Sequence, residues 1–233
     1  MKNHSIGVFL LIAALAFALM SCAAPAPEPV PTAAPELALA PEALEPVEIR
    51  EYQGEKLSSA TDFSENSIAG APDVSLDGYQ LSISGLVDNP LTLSYDEVLG
   101  YDAYSKVATL FCVEGWDATV LWEGVLIEDL LADAGIQDEA AAVIFYAEDG
   151  YSSSLTLDFV RDNDIILAYK MNGVTLPVDR GFPFQVVAES KWGYKWVRWV
   201  TEIQLTSNAE YKGYWEELGY NNDGNVEGPK FGE

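Results

Sequence analysis

Thr109–Gly124 reads TLFCVEGWDATVLWEG. A β-branched and aromatic run, SKVATLFC, forms a strand that ends on Cys112. A polar turn follows at Glu114-Gly115, and the apolar run ATVLWEG resumes beyond it. Outward from this core the pattern repeats. YQLSISGLV (79–87) alternates as a half-buried strand and stops at the turn DNP. AVIFYA, SSSLTL, DIILAYK and FQVVAE are further strands, punctuated by EDG, DND and MNG. The long segment GYKWVRWVTEIQL (193–205) closes the sheet series. Helices are few and short. Ser94-Tyr95-Asp96-Glu97 is a capping box, and VLIEDLLADAG is an amphipathic helix with Gly135 as its C-terminal cap. Many strands without long intervening helices predict an α+β domain of mixed and antiparallel sheets rather than a doubly wound one.

The N-terminus is organised differently. An uncharged apolar run from Ile6 to Met20 ends in Leu19-Met20-Ser21-Cys22, which resembles a bacterial lipobox, so 1–21 reads as a lipoprotein signal peptide with Cys22 the lipidated residue. The run of about 15 residues is short against the roughly 20 needed to span a bilayer. Residues 22–48, rich in Ala, Pro and Glu, read as an extended tether. The domain is then 49–233, on the extracytoplasmic face of the cell membrane.

The chain carries 37 Asp and Glu against 12 Lys and Arg, a formal charge of −25, which argues against nucleic acid or anionic lipid as a partner. Its single histidine, His4, lies in the signal peptide, removing Ser-His-Asp and Cys-His chemistry and every His-ligated metal site. With Cys22 lipidated, Cys112 has no intramolecular disulfide partner. Two readings of this thiol stand open: a soft metal ligand or nucleophile presented at a strand end, or a small buried hydrophobe. A third use, as a redox sensor, lacks a resolving cysteine.

Positive charge is concentrated where it is scarce elsewhere: Arg180, Lys191, Lys195 and Arg198, beside Gly181 and Gly193. Such a cluster suits an anionic ligand or a set of internal ion pairs. If 193–205 is one strand, alternation puts Trp196 and Arg198 on one face and Lys195 and Trp199 on the other.

The stretches CVEGW, DGY before a Ser-rich strand, LAYKMNGVTLP, RGFP and KWGYKWVRWVTEIQL, in that order over 79–205, resemble the sulfite-oxidase-type molybdopterin-binding oxidoreductases. The resemblance is to the branch of the periplasmic protein-methionine-sulfoxide reductase catalytic subunit. It implies a Mo-molybdopterin cofactor, with Cys112 as the molybdenum ligand. It also implies cofactor contacts at Asn66, Arg180, Gln185 and Arg198 and through the backbone of Trp196 and Val197. Gln185 stands where an arginine is usual, and Ala147 where a threonine is expected. Sulfite-oxidising relatives follow their cysteine with a Gly-Asn-Arg-Arg run. Here Val113-Glu114-Gly115-Trp116 brings a carboxylate and no sequence-local cation, which favours a neutral S-oxide or N-oxide over an anion. Glu114 is either a proton donor to the departing oxygen, if buried, or the cap of a turn. Electrons require a separate redox protein, for which a membrane cytochrome is a candidate. MKNHSIG lacks the arginine pair of relatives exported in folded form, and this feature supports an alternative: a cofactor-free extracytoplasmic binding module on the same scaffold.

Overall fold

The computed structural model describes residues 47–232; the expected signal peptide, Cys22 and nearly all of the expected tether lie outside them. Twelve strands and four short helices follow in order. They are β1 (Glu51–Tyr52), β2 (Glu55–Lys56), β3 (Leu81–Gly85), β4 (Leu91–Leu93), α1 (Tyr95–Val98), β5 (Ala103–Phe111), β6 (Asp117–Leu126) and α2 (Ile127–Ala134). The second half holds β7 (Ala142–Ala147), β8 (Ser152–Thr156), α3 (Leu157–Asp162), β9 (Ile166–Met171), β10 (Val174–Thr175), β11 (Gln185–Val187), β12 (Val200–Thr206) and α4 (Tyr214–Glu217). This is the α+β architecture that the alternation predicts.

Two five-stranded sheets carry the domain. One runs β10-β9-β6-β5, with β11 also paired to β9; the other runs β4-β3-β12-β7-β8. Every pairing is antiparallel except β3 with β12. Period-2 alternation sends Leu81 and Ile83, then Ile203 and Leu205, to one face, where they meet Trp122, Phe145, Leu167 and Val186 in a continuous apolar core. Each fully buried large side chain of this kind contributes roughly 1.5–3 kcal/mol. β6 and β9 approach so closely at Gly124 that any β-carbon there would overlap the Leu167 carbonyl.

Local signals behave as their chemistry dictates. Ser94 caps α1, with its hydroxyl accepting from the Glu97 N–H and the Glu97 carboxylate accepting in return. Gly135 ends α2 at φ +73°, a left-handed conformation that glycine adopts without steric cost. One expectation fails. The segment 193–205 is not a single strand: Gly193–Lys195 form a 3-10 turn, Trp199 has φ +53°, and β12 begins only at Val200. The turn and the left-handed residue both break the two-residue alternation.

Candidate functional site

β5 ends at Phe111, one residue before the expected end, so Cys112 opens the β5–β6 turn. Its N–H donates to the Trp116 carbonyl at 2.9 Å, and its carbonyl accepts from the Gly115 N–H at 3.1 Å. Gly115 completes the reversal at φ +97°. Both backbone groups of Cys112 are thus fixed, and the thiol, only 5% exposed, faces a cavity of about 170 Å³. Burial pushes the thiol up from its usual range. Donors near the sulfur, the Glu114 N–H and the Asn66 amide, pull the other way, as does Lys230.

Asn66 comes from a loop far upstream, and its Nδ2 lies 3.5 Å from Cys112 Sγ. Arg180 holds that loop in place. Its Nε donates to the Ala60 carbonyl at 2.6 Å and its Nη2 to the Phe63 carbonyl, while the guanidinium plane covers the Phe63 ring at 4.4 Å. The same ring stacks on Trp116 at 5.7 Å, so one aromatic residue joins the arginine to the cysteine turn. Arg198 donates to the Asp179 carbonyl at 3.0 Å and pairs with Glu65 at 3.0 Å.

The fold brings Asn66, Cys112, Glu114, Arg180, Gln185, Trp196 and Arg198 to the wall of one cavity. Val197 is buried away from it, and its carbonyl accepts from the Val186 N–H at 2.8 Å. The Trp196 N–H donates to the Gly193 carbonyl at 3.0 Å. Trp199, expected on the opposite face with Lys195, also lines the cavity. Lys195 instead points into the interior.

The four-residue basic cluster therefore splits. Lys191 donates to the Asp223 carbonyl and to Asn225 at 2.9 and 2.7 Å. Lys195 pairs with Glu216 at 2.6 Å, both side chains fully buried. Only the two arginines reach the cavity. Glu114 is exposed, and its carboxylate accepts the Trp116 indole N–H at 3.3 Å. It caps the turn, and the burial invoked for a proton donor is absent. A cation does stand near this turn: Lys230 donates to the Val113 carbonyl at 3.1 Å and covers the Trp192 ring at 4.7 Å. Lys230, Tyr194, Trp215 and Tyr220 had no local sequence signal, because long-range folding alone carries them here.

The residues fit an anionic cofactor that bears a soft metal. A buried thiol supplies the metal ligand, and two arginines supply charge-assisted donors in a chain of net charge −25. Gln185, 3% exposed, makes no side-chain hydrogen bond within the described residues, which leaves its amide free for a ligand. The described residues hold no cluster of three or more His, Cys, Asp or Glu side chains able to bind a metal, so Cys112 would be a lone protein ligand.

Residues 68–215 match the oxidoreductase molybdopterin binding domain, and the chain belongs to that family. Its cofactor is Mo-molybdopterin. The chain is 35% identical to the uncharacterized oxidoreductase YuiH of Bacillus subtilis, over 61% of this chain and 72% of that protein. It is 32% identical to the putative protein-methionine-sulfoxide reductase subunit YedZ1 of Azospira oryzae, over 64% and 56% respectively. Human mitochondrial sulfite oxidase is 29% identical over 64% of this chain, which spans only 33% of that protein. The sulfane dehydrogenase SoxCD of Paracoccus pantotrophus superimposes with a TM-score of 0.57 at 25% identity, covering 60% of this chain and 41% of that one. The matched span places CVEGW, RGFP and the basic segment inside the family domain. Asn66 lies just upstream of it and Lys230 beyond its end.

Proposed function

We propose that this chain is a lipid-anchored extracytoplasmic oxidoreductase that reduces a neutral S-oxide or N-oxide by oxygen-atom transfer. The observation that carries this reading is the convergence of the buried Cys112 thiol, Asn66 and two arginines on one cavity. When bound, the cofactor supplies a two-electron metal centre able to accept an oxygen atom. Cys112 holds the metal, and the Asn66 amide orients its sulfur. Arg180, Gln185 and Arg198, which line the cavity, would hold the pterin and its phosphate, with Trp196 forming part of the wall, whereas Val197 lies away from it. Glu114 caps the Cys112 turn at the rim, where its carboxylate disfavours an anionic substrate, and the protons come from water.

Reduction of a sulfoxide consumes two electrons and two protons and releases a thioether and water. The described residues contain no histidine and no second cysteine, the usual ligands of haem and iron–sulfur centres. The electrons are therefore assigned to a separate redox protein, for which a membrane cytochrome suits an anchored enzyme. Preference for a neutral substrate no longer rests on an absent cation, since Lys230 is near. It rests on Glu114 at the rim and on an apolar, aromatic cavity wall. The alternative, a cofactor-free binding module, runs against the match to the molybdopterin binding domain over residues 68–215.

Elemental analysis of protein purified from its native host separates the two readings. About one molybdenum per chain is expected, with Cys112→Ser folded but depleted of metal; metal-free wild-type protein would sink the enzyme reading. Metal-loaded enzyme should reduce a dialkyl sulfoxide with an artificial electron donor and leave sulfite nearly untouched with an artificial acceptor. The reverse pattern overturns the substrate assignment.

A further inference from the structure

We infer that the segment after the last strand, 207–231, is the substrate-selecting wall of this cavity. Its specificity-determining residues are Trp215 and Tyr220, which favour an S-oxide or N-oxide carrying an aryl or other bulky apolar substituent. The inference rests on the function proposed above and deepens it.

The family domain ends at residue 215, yet Tyr220 beyond it lines the cavity together with Trp215. The two rings pack edge to face at 5.4 Å, and Tyr220 packs in the same manner on the lining residue Tyr194 at 5.2 Å. Both Trp215 and Tyr220 are only half-buried, so part of each ring is left to meet a ligand. Neither holds itself in place; the segment around them does. Gly213 lies against β8 so closely that any β-carbon would overlap the Ser152 carbonyl. Glu216, between the two aromatics in sequence, is locked by the buried Lys195 at 2.6 Å. The Tyr194 hydroxyl donates to the Asn221 carbonyl at 2.7 Å, and Lys230 ties the end of the segment to the carbonyl beside Cys112. A wall anchored on both sides of its aromatic pair is preorganised, and preorganisation is what allows a contact to discriminate.

The chemistry of the wall sets its preference. Aromatic faces carry negative quadrupolar charge. They reject a small anion and accept apolar groups, including the electron-poor carbons next to an S–O or N–O dipole. Aryl substituents gain stacking that a methyl group cannot.

The test compares methyl phenyl sulfoxide with dimethyl sulfoxide in metal-loaded wild-type enzyme and in Trp215→Ala, Tyr220→Ala and Tyr220→Phe. Wild type should prefer the aryl substrate. Each alanine variant should lower the aryl-to-dimethyl ratio of kcat/KM by on the order of tenfold, the scale of a lost apolar pocket contact. The loss should appear in KM, with molybdenum content unchanged, and Tyr220→Phe should keep the ratio. An unchanged ratio in both alanine variants overturns the inference while leaving sulfoxide reduction intact. If wild type reduces neither substrate, the functional proposal fails by itself, and calorimetric binding decides the inference: methyl phenyl sulfoxide should bind wild type and lose affinity in both alanine variants. No binding to wild type, or equal binding to all, rejects it.

Discussion

Arg180 and Arg198 differ from Lys191 and Lys195 in what their charges face. The arginines reach the cavity and are held there by carbonyls and by Glu65. The lysines are turned away, one onto a loop carbonyl and an amide, the other onto a buried glutamate. Each ammonium is used up on two interior acceptors, Lys195 bonding the Ser154 carbonyl as well as Glu216. A planar guanidinium can hold two carbonyls with some of its N–H groups and still present charge to a ligand. The lesson is that a run of basic residues is not one site: the 3-10 turn at Gly193–Lys195 sends Lys195 to the interior while Arg198 beyond it reaches the cavity.

The sharpest way to break this division is at Lys195. Lys195→Met leaves Glu216 buried without its partner and should cost about 3–5 kcal/mol, read as a lower denaturant midpoint. The double variant Lys195→Met, Glu216→Leu should recover most of that loss. A single variant as stable as wild type would show that the pair does not hold the interior.

Arg180 both reaches the cavity and grips a loop, so its removal should be felt in both roles. Arg180→Ala should cost on the order of 3 kcal/mol through lost charged hydrogen bonds to backbone and lower molybdenum content as Asn66 loses its support. Arg180→Lys should not rescue the metal, because one ammonium cannot reproduce the fork. Arg198→Ala should tilt the balance towards the second readout: losing its pair with Glu65 and its bond to the Asp179 carbonyl should cost about 1.5–3 kcal/mol, while cofactor occupancy should drop several-fold. Equal stability losses in Arg198→Ala and Lys195→Met would erase the distinction.

The smallest effect concerns the loop that Arg180 grips, which is held from its other side by Glu48. That carboxylate accepts from Ser59 Oγ, the Ala60 N–H and Asn172 Nδ2. Burial pushes Glu48 up, but these hydrogen bonds and Arg50 outweigh it and hold the carboxyl below its usual range. With the folded pKa depressed, the stabilisation is present above the ordinary carboxylate value of about 4.3 and is lost as pH falls through the folded value. The hydrogen-exchange protection factors of residues 47–62, corrected for the intrinsic rate at each pH, should therefore fall on acidification more in wild type than in Glu48→Gln; an equal fall would remove Glu48 from the loop's support.

Much of the scaffold was legible in the sequence because its causes are local. The Ser94–Glu97 box, Gly135 and the alternation of YQLSISGLV act within a few residues of one another. Cys112 stood out because no other thiol or imidazole competes with it in the domain. Val200 as the true start of β12 was hidden, since a left-handed Trp199 leaves no compositional mark. Glu114 looked like a reactive carboxylate until Trp116 proved to be its partner. Lys230 and Tyr220 were invisible for a different reason: their roles depend on how the chain returns to the Cys112 turn, and no periodicity encodes that return.

The position of β12 reaches beyond the site. It is the last strand among the described residues, yet it lies at the centre of its sheet, between β3 and β7. Until it emerges from the ribosome, β3–β4 and β7–β8 are two separate hairpins, each with an open apolar edge carrying Leu81 and Ile83 or Val143 and Phe145. Unpaired edges of this kind recruit other chains. Assembly of the sheet is thus deferred until Val200–Thr206 has been made, and a messenger truncated before Val200 should yield an aggregating product rather than a smaller, partly working domain.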